Sequence, residues 1–298
     1  MSSRAVTMLS PVMASFYLAL LVVALGGTLV SLALLSRYTR SGQPPWKVEP
    51  AALGKPGTIL VVSSILGLYL ELLLIRWISS EIRIFAYFKN FVLVACFLGF
   101  GVGCYLCRRA ISIAALIVPL LFIAAVIRLP IAALRRLIDA LPVLLGATSD
   151  MYIWGVGSMK LSAAALPGLL VAAIVTLPLF ALTAIVFIPI GQMVGWVLET
   201  APNGVRAYTI NVIASLAGIA LYTALCFASQ PPAVWYLISG AMGVILFARV
   251  PRAALVVAIT FLILIALVTL PRRPEEEVYW SPYQKLSLEP LRIDGERV

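Results

Sequence analysis

The stretch ILVVSSILGLYLELLLIRW, Ile59–Trp77, decides the fold class of this chain. It contains one acid, Glu71, and one base, Arg76, and its other residues are apolar, small or aromatic. A helix of about 20 such residues is long enough to cross a hydrocarbon core of about 30 Å. We therefore predict that this stretch is a transmembrane helix.

The composition extends this prediction to the rest of the chain. Of its 298 residues, 62% are hydrophobic and 11% are charged, whereas a soluble globular domain is about 25% charged. The net charge of +10 does not indicate a nucleic-acid partner, because Lys and Arg of membrane proteins gather in loops near anionic headgroups. The sequence thus predicts an integral membrane protein whose main partner is the lipid bilayer.

Apolar runs of similar length recur along the chain and predict an all-α polytopic bundle of about eight transmembrane helices. The predicted spans are Pro11–Leu35, Ile59–Trp77, Phe91–Cys107, Ile111–Ile127, Leu166–Ile190, Ala207–Phe227, Ala233–Phe247 and Ala253–Leu270. An even number of spans places both termini on one side of the membrane. Lys and Arg are divided equally between the two sets of loops, so the positive-inside rule selects no orientation.

The segment 129–160 lacks the pattern of a span. Its first half has apolar residues at helical spacing, and Arg135, Arg136 and Asp139 lie off that stripe. This pattern predicts an amphipathic helix at the membrane surface. Either it covers the bundle as a connecting element or it acts as a lid over a substrate.

The inventory of reactive side chains excludes several kinds of site. The chain has no His, which removes His-ligated haem, His-containing zinc sites and His general bases. Cys104 and Cys107 form a C-x-x-C pair, but an all-cysteine zinc site needs a second pair. We predict no metal site and interpret these cysteines as helix-packing residues. The glycines of GFGVG, Gly99–Gly103, lie inside an apolar span, where they favour close helix packing over nucleotide binding.

Four polar side chains within the predicted spans are the candidate functional residues of the membrane region: Glu71, Arg76, Gln192 and Asn211. Glu71 lies past the middle of its span, where an ionisable group costs at least a few kcal/mol. Arg76 follows five residues later, about 140° around the helix, so it is a poor direct partner for Glu71. For all four residues, interhelical hydrogen bonding is the alternative to a functional role.

The C-terminal stretch has a different pattern. KLSLEPLRI, Lys285–Ile293, places Leu286 and Leu288 on one face and polar residues on the other. This alternation predicts a strand, and the Asp-Gly pair at 294–295 is a hairpin turn signal. We therefore predict a short β-like tail after the helical bundle.

Three stretches resemble the bacterial spermidine-synthase-like membrane proteins. LELLLIRWISSEIRIFAYFKNFVLVACFLGFGVG, residues 70–103, is similar to a part of their membrane region with an L-E-L-x-x-x-R motif and a glycine-rich helix. IPIGQMVGWVLETAPNGVRAYTINVIASLAGIAL, residues 188–221, is similar to a second part, although Ala214 replaces the usual Gly. SPYQKLSLEPLRIDG, residues 281–295, is similar to the opening β-hairpin of the aminopropyltransferase domain.

The resemblance implies a membrane module of a spermidine-synthase-like protein in the bacterial inner membrane. It divides the chain into a transmembrane domain, 1–270, and a linker with the first strand or hairpin of an incomplete aminopropyltransferase-like domain, 271–298, with this tail in the cytoplasm. It also implies that Gln284, with Tyr283 beside it, helps to bind decarboxylated S-adenosylmethionine when the full catalytic domain is present. The glycine-rich donor loop and the acidic polyamine-binding residues have no match here. We therefore predict no catalytic residue and no aminopropyl transfer by this chain alone.

Two other functions remain open at the level of the sequence. Glu71 and a helix bend at Pro189 are compatible with a small-molecule transporter, for which polyamines are candidate substrates. The tail is compatible with a membrane scaffold that docks a soluble partner by strand addition. The resemblance favours the membrane module over both.

Overall fold

The computed structural model is mostly helical. It describes residues 18–19, 22–36, 46–82, 89–129, 131–133, 135–136, 166–270, 277–288, 292–293 and 296–297. Within these ranges, eight apolar helices are α1 Val22–Ser36, α2 Pro56–Glu81, α3 Lys89–Tyr105, α4 Ile113–Arg128, α5 Leu166–Thr200, α6 Gly204–Phe227, α7 Pro232–Phe247 and α8 Pro251–Thr269. A helical bundle was the predicted class, and it is confirmed.

Four of these helices are long and apolar enough to cross a membrane, namely α2, α5, α6 and α8. The described parts of α1, α3, α4 and α7 are shorter apolar helices of 10–17 residues, below the length of about 20 that a hydrocarbon core requires. The structure therefore supports four membrane-spanning helices. A total of about eight spans stays a prediction.

Local chemistry explains where the helices begin and end. Pro56, Pro232 and Pro251 stand in the first turns of α2, α7 and α8, where proline lacks only an N–H that has no helical partner. Asn203 caps α6, because its side chain accepts a hydrogen bond from the backbone N–H of Arg206 at 3.0 Å. These helices begin a few residues before the apolar runs, since hydropathy does not detect caps. α5 continues through Pro189 to Thr200, past the end that its apolar run predicts.

The central helix of the bundle is α2. It packs against α3, α5, α6 and α7, while α5 packs against α3 and α4, and α8 packs against α4 and α7. Tyr69, Leu70, Leu73, Leu74 and Trp77 of α2 are all buried. The side chains of this helix therefore lie mainly inside protein rather than in lipid.

Glycines bring α3 and α5 into backbone contact. A Cβ added to Gly99 would lie 1.8 Å from the Ala184 carbonyl oxygen, and one added to Gly103 would lie 2.3 Å from the Ile188 carbonyl oxygen. A Cβ on Gly101 would meet nothing within 4 Å. Close packing through the GFGVG stretch is therefore confirmed for its first and last glycines.

Short antiparallel strands complete the described structure. β1 Lys47–Val48 pairs with β2 Ile111–Ser112, β3 Glu277–Trp280 with β4 Lys285–Leu288, and β5 Arg292–Ile293 with β6 Glu296–Arg297. The strand predicted at Lys285 is confirmed as β4, and β5 and β6 pair on either side of the Asp-Gly pair. The sequence did not predict β3 as the partner of β4. We call the β3–β4 pair the tail hairpin.

Parts of two sequence predictions fall outside the described residues. In the segment 129–160, the described positions 132–133 and 135–136 are helical, and the remainder of the predicted surface helix is not described. The beginning of the first predicted span, 11–17, also lies outside the described residues.

Candidate functional site

Arg76 fixes the tail hairpin to the end of α2. Its Nη1 donates a hydrogen bond to the Pro282 carbonyl oxygen at 3.0 Å, and its Nη2 donates to the Ser281 carbonyl oxygen. Both carbonyls belong to the turn between β3 and β4. The sequence identified Arg76 as a poor partner for Glu71, and the structure gives it partners from the tail instead.

Aromatic rings surround the same guanidinium. The Arg76 Cζ lies 5.1 Å from the centre of the Trp235 ring of α7 and 5.8 Å from the Trp280 ring of β3. The two indoles meet edge to face, with their centres 5.0 Å apart. Cation–π attraction of this kind is worth about 0.5–2 kcal/mol, more as water is excluded. The hairpin therefore packs on the bundle through contacts between the two indole rings and between these rings and the Arg76 guanidinium.

A buried ion cluster forms the second attachment of the hairpin. Lys285 Nζ lies 3.1 Å from Glu81 Oε1, and Arg128 Nη1 lies 3.4 Å from the same oxygen. Arg128 also donates to the carbonyl oxygens of Val268, at 2.6 Å, and Leu270. This cluster therefore joins α2, α4, α8 and β4, and removing its carboxylate would leave two buried cations without their shared anion.

Two clefts flank the docked hairpin. The first, which we call the turn cleft, has a volume of about 330 Å³ and is lined by Ile75, Arg76, Ser79, Ser80, Trp280, Tyr283, Gln284 and Lys285. The second has a volume of about 250 Å³ and contains Glu81, Arg128 and Lys285 among its lining residues. The charged residues that attach the hairpin to the bundle therefore also line these two clefts.

Gln284 and Tyr283, the predicted donor-binding residues, lie in the turn of the hairpin. The Ser281 N–H and hydroxyl donate to the Gln284 carbonyl oxygen at 3.0 and 2.9 Å, and the Gln284 N–H donates to Ser281 Oγ at 3.0 Å. The side chains of Tyr283 and Gln284 are exposed and line the turn cleft with Arg76. Their role in donor binding stays a prediction.

The turn cleft does not fit decarboxylated S-adenosylmethionine. That donor carries a sulfonium and a primary ammonium, so it is a cation. Arg76 and Lys285 line the cleft, and none of its described lining residues is a carboxylate. Like charges in a partly desolvated site repel. The described residues around Gln284 therefore supply no anionic partner for this donor.

Gln192 and Asn211 make hydrogen bonds between helices. Asn211 Oδ1 accepts from the Ser64 hydroxyl at 2.7 Å, which joins α6 to α2. Gln192 Nε2 donates to the carbonyl oxygens of Leu106 at 3.0 Å and Arg109 at 3.3 Å, at the end of α3. Such bonds are the structural alternative to a functional role. These two residues lie in different contacts from Arg76, so the four candidates do not form one site.

Glu71 is buried, with 6% of its surface exposed. It lies close enough to Cys96 of α3 for an electrostatic interaction. Within the described ranges no hydrogen bond or ion pair to its carboxylate is found. Neither cleft beside the tail hairpin is lined by Glu71. It is therefore separate from the tail contacts.

The C-x-x-C pair lies at the end of α3. Cys107 Sγ donates to Glu199 Oε2 at 3.1 Å, and Arg108 Nε donates to Glu199 Oε1 at 2.8 Å. Burial, and then the hydrogen bond to the Glu199 carboxylate, raises the pKa of the Cys107 thiol. A thiol of raised pKa is a weak nucleophile. Within the described part of the chain, no group of three or more His, Cys, Asp or Glu side chains is placed to hold a metal ion.

The sequence did not identify Glu81, Arg128, Trp235 or Lys285 as members of this site. Charged and aromatic residues near the ends of apolar runs are ordinary features of membrane interfaces, so nothing in their local sequence separates them from surface groups. The one available signal is an acid and a base, Glu81 and Arg128, just after the ends of two separate runs. That signal requires the helix arrangement to be known.

Comparison with known proteins identifies no relative: no protein-family model, no curated protein and no solved structure matches this chain. The fold defines a helical protein with four helices able to span a membrane and a β-hairpin bound at one end of the bundle. The resemblance to spermidine-synthase-like proteins stays a prediction from the sequence.

Proposed function

We propose that this chain is the membrane module of a spermidine-synthase-like protein of the bacterial inner membrane. In this role it holds a cytoplasmic aminopropyltransferase-like domain, on the same or a separate polypeptide, at the membrane surface. The observation that carries the proposal is the two-sided character of the tail hairpin. One face is bound to the bundle, and the other exposes large apolar and aromatic side chains.

The inner face of the hairpin, formed by Trp280 and Lys285, supports an anchoring role. These two residues are cross-strand partners. Trp280 packs on Trp235, and Lys285 pairs with Glu81. Together with the hydrogen bonds from Arg76 to the turn, they give the hairpin one position relative to the helices.

The outer face contains three large side chains, Tyr279, Leu286 and Leu288, with Glu277 opposite Leu288, and it supports a partner domain. Tyr279 and Leu286 are cross-strand partners, and the three side chains are 55%, 44% and 60% exposed. An apolar sheet face is normally buried against another layer, and a two-stranded hairpin is only marginally stable alone. We infer that this face begins the core of the soluble domain. The resemblance of residues 281–295 to the opening hairpin of an aminopropyltransferase domain supports this inference.

The chemistry belongs to the partner domain in this proposal. Decarboxylated S-adenosylmethionine and a polyamine would bind within that domain and outside the turn cleft, whose charge is unsuitable. The membrane module supplies the position of the first hairpin. Its own helices act as an anchor, and no residue of this chain is assigned a catalytic role.

Site-specific photo-crosslinking in the native membrane tests the proposal. A photoreactive residue at Leu288 should crosslink to a peptide of an aminopropyltransferase-like domain, which mass spectrometry identifies. The matched control is the same residue at Val205, which is 80% exposed on α6. Crosslinks from Leu288 to lipid alone, as expected from Val205, would contradict an anchoring role.

A small-molecule transporter is the second candidate, and buried Glu71 is the observation that favours it. A carboxylate inside a membrane helix without a hydrogen-bonding partner in the described structure is compatible with a cation or proton pathway. Uptake of a labelled polyamine into liposomes tests this function. Transport that is lost in Glu71→Gln and retained in Asn211→Leu would favour it, whereas no uptake by the unmodified protein would exclude it.

A further inference from the structure

We propose that the turn cleft binds a phosphate group, the chemistry shared by a phospholipid headgroup and a free phosphate. The cleft lies between the last turns of α2 and the turn of the tail hairpin and has a volume of about 330 Å³. This site requires only the docked hairpin, so it is independent of the anchoring role proposed above. Its support comes from charge, from neutral donors and from its position at the end of α2.

Within the described residues, the cleft has positive charge without a matching anion. Arg76 and Lys285 line it, and none of its described lining residues is acidic. Lys285 pairs with Glu81 outside the cleft, whereas the described hydrogen bonds of Arg76 go to the neutral carbonyls of the hairpin turn. A partly desolvated guanidinium is stabilised by a nearby anion much more than by neutral acceptors. The site therefore favours an anionic ligand.

The Arg76 and Ser79 side chains also have unused hydrogen-bonding capacity. Arg76 Nε and Ser79 Oγ are buried and have no hydrogen-bond partner among the described residues. Buried polar atoms are nearly always satisfied in native proteins, so each such atom points to a missing partner or a local rearrangement on binding. Both atoms belong to one cleft wall on α2.

Neutral donors on the other walls suit a phosphate. Tyr283 supplies a phenol and Gln284 an amide from the hairpin, and both side chains are exposed where they line the cleft. Ser80 adds a hydroxyl from α2. An arginine surrounded by hydroxyl and amide donors matches the several acceptor oxygens of a phosphate. A polyamine or a sulfonium compound would instead meet two like charges.

The position of the cleft favours the phospholipid headgroup as the source. Arg76 lies one and a half turns before the end of α2 at Glu81. Basic pockets at helix ends bind anionic lipid heads, and the turn cleft lies at the end of an apolar helix that is long enough to span a membrane.

Ligand binding to the full chain in detergent micelles tests the site. The probes are short-chain phosphatidylglycerol, short-chain diacylglycerol without phosphate, and inorganic phosphate, with thermal shift and native mass spectrometry as readouts. We expect saturable binding of phosphatidylglycerol and none of diacylglycerol. Competition by inorganic phosphate would assign the site to free phosphate, and its absence would assign it to lipid. Equal binding of both lipids would overturn the proposal.

Binding measurements on two variants test whether the ligand lies in the turn cleft. Arg76→Gln should weaken phosphatidylglycerol binding at least about tenfold, because a charge-assisted hydrogen bond is lost. Arg108→Gln is the matched control, since it removes the same charge at the exposed pair with Glu199, and binding should be unchanged. Equal weakening in both variants would show binding to general surface charge and would overturn the site.

Gln284→Ala distinguishes ligand contact from loss of the docked hairpin. The hydrogen bonds of Gln284 with Ser281 use its backbone atoms, so this substitution leaves the turn intact. We expect phosphatidylglycerol affinity to fall about three- to tenfold while the melting temperature without ligand stays the same. Unchanged affinity in Gln284→Ala, with loss in Arg76→Gln, would show that the phosphate lies elsewhere.

Discussion

Lys285 of the tail hairpin and Glu81 of α2 form an ion pair of 3.1 Å in which both side chains are largely buried, with 10% and 1% exposed. They are separated by more than two hundred positions in the sequence. Arg128 of α4 shares the same carboxylate oxygen at 3.4 Å. Two cations therefore share one oxygen of the carboxylate, and one of them belongs to the tail.

Removing the carboxylate should be more damaging than removing the tail cation. Glu81→Gln leaves Arg128 and Lys285 close together without their shared anion, and we expect a loss of about 3–5 kcal/mol in the free energy of unfolding. Lys285→Met leaves Glu81 with Arg128, so we expect only about 1–3 kcal/mol. Denaturant titration in detergent measures both. The control, Arg108→Met at an exposed pair, should be near neutral; a larger loss for Lys285→Met than for Glu81→Gln would contradict the shared-anion interpretation.

The two faces of the hairpin should respond differently to truncation. Trp280→Ala removes the ring that packs at 5.0 Å on Trp235, and we expect the hairpin to leave the bundle and become sensitive to protease. Tyr279→Ala changes the adjacent outer-face residue, which is 55% exposed, and should leave protease sensitivity unchanged. Limited proteolysis of the two variants makes the comparison. Similar cleavage of both would show that the hairpin is not held by its inner face.

The sequence predicted the class of fold because apolar run length is a local property. It also predicted β4, since the alternation of Leu286 and Leu288 is local. It did not predict β3, because Glu277–Trp280 alternates only weakly in polarity and its strand pairing depends on the turn at Ser281. Several helices begin before their apolar runs, as at Pro56 and Pro232, because hydropathy does not detect caps or first-turn prolines.

The candidate site was predicted only in part. Arg76, Tyr283 and Gln284 were identified, but on separate grounds, and no local pattern indicated that they lie together. Their meeting in the turn cleft depends on the hairpin folding back on α2, a long-range contact. The partners of the hairpin's inner face, Trp235 and Glu81, lie on separate helices, so their contacts with the hairpin are also long-range. Local patterns contain no information on such contacts.

Alanine substitutions should distinguish a glycine at the backbone contact between α3 and α5 from a glycine that lies elsewhere in the same helix. Gly99→Ala places a Cβ 1.8 Å from the Ala184 carbonyl oxygen, so α3 and α5 must move apart. We expect a loss of about 1–3 kcal/mol or more. Gly101→Ala meets nothing within 4 Å and should be neutral or stabilising by up to about 1 kcal/mol, because alanine favours the helix. Melting temperatures of the two variants decide the matter, and a similar fall in both would contradict the close crossing.

The bond between Ser64 and Asn211 should appear as a coupling energy between α2 and α6. The Ser64 hydroxyl donates to Asn211 Oδ1 at 2.7 Å, and such bonds in membrane proteins average about 0.6 kcal/mol, with a maximum of about 1.7. A double-mutant cycle with Ser64→Ala and Asn211→Leu should therefore be non-additive by about that amount in unfolding experiments.

The neighbouring serine provides the control for this cycle. Ser63 donates to the Ile59 carbonyl oxygen of its own helix at 2.6 Å, so Ser63→Ala combined with Asn211→Leu should be additive within about 0.5 kcal/mol. Coupling of equal size in the two cycles would mean that Asn211→Leu disturbs α2 generally. Coupling confined to Ser64 would show that this one hydrogen bond links α2 to α6, because the neighbouring Ser63 bonds within its own helix.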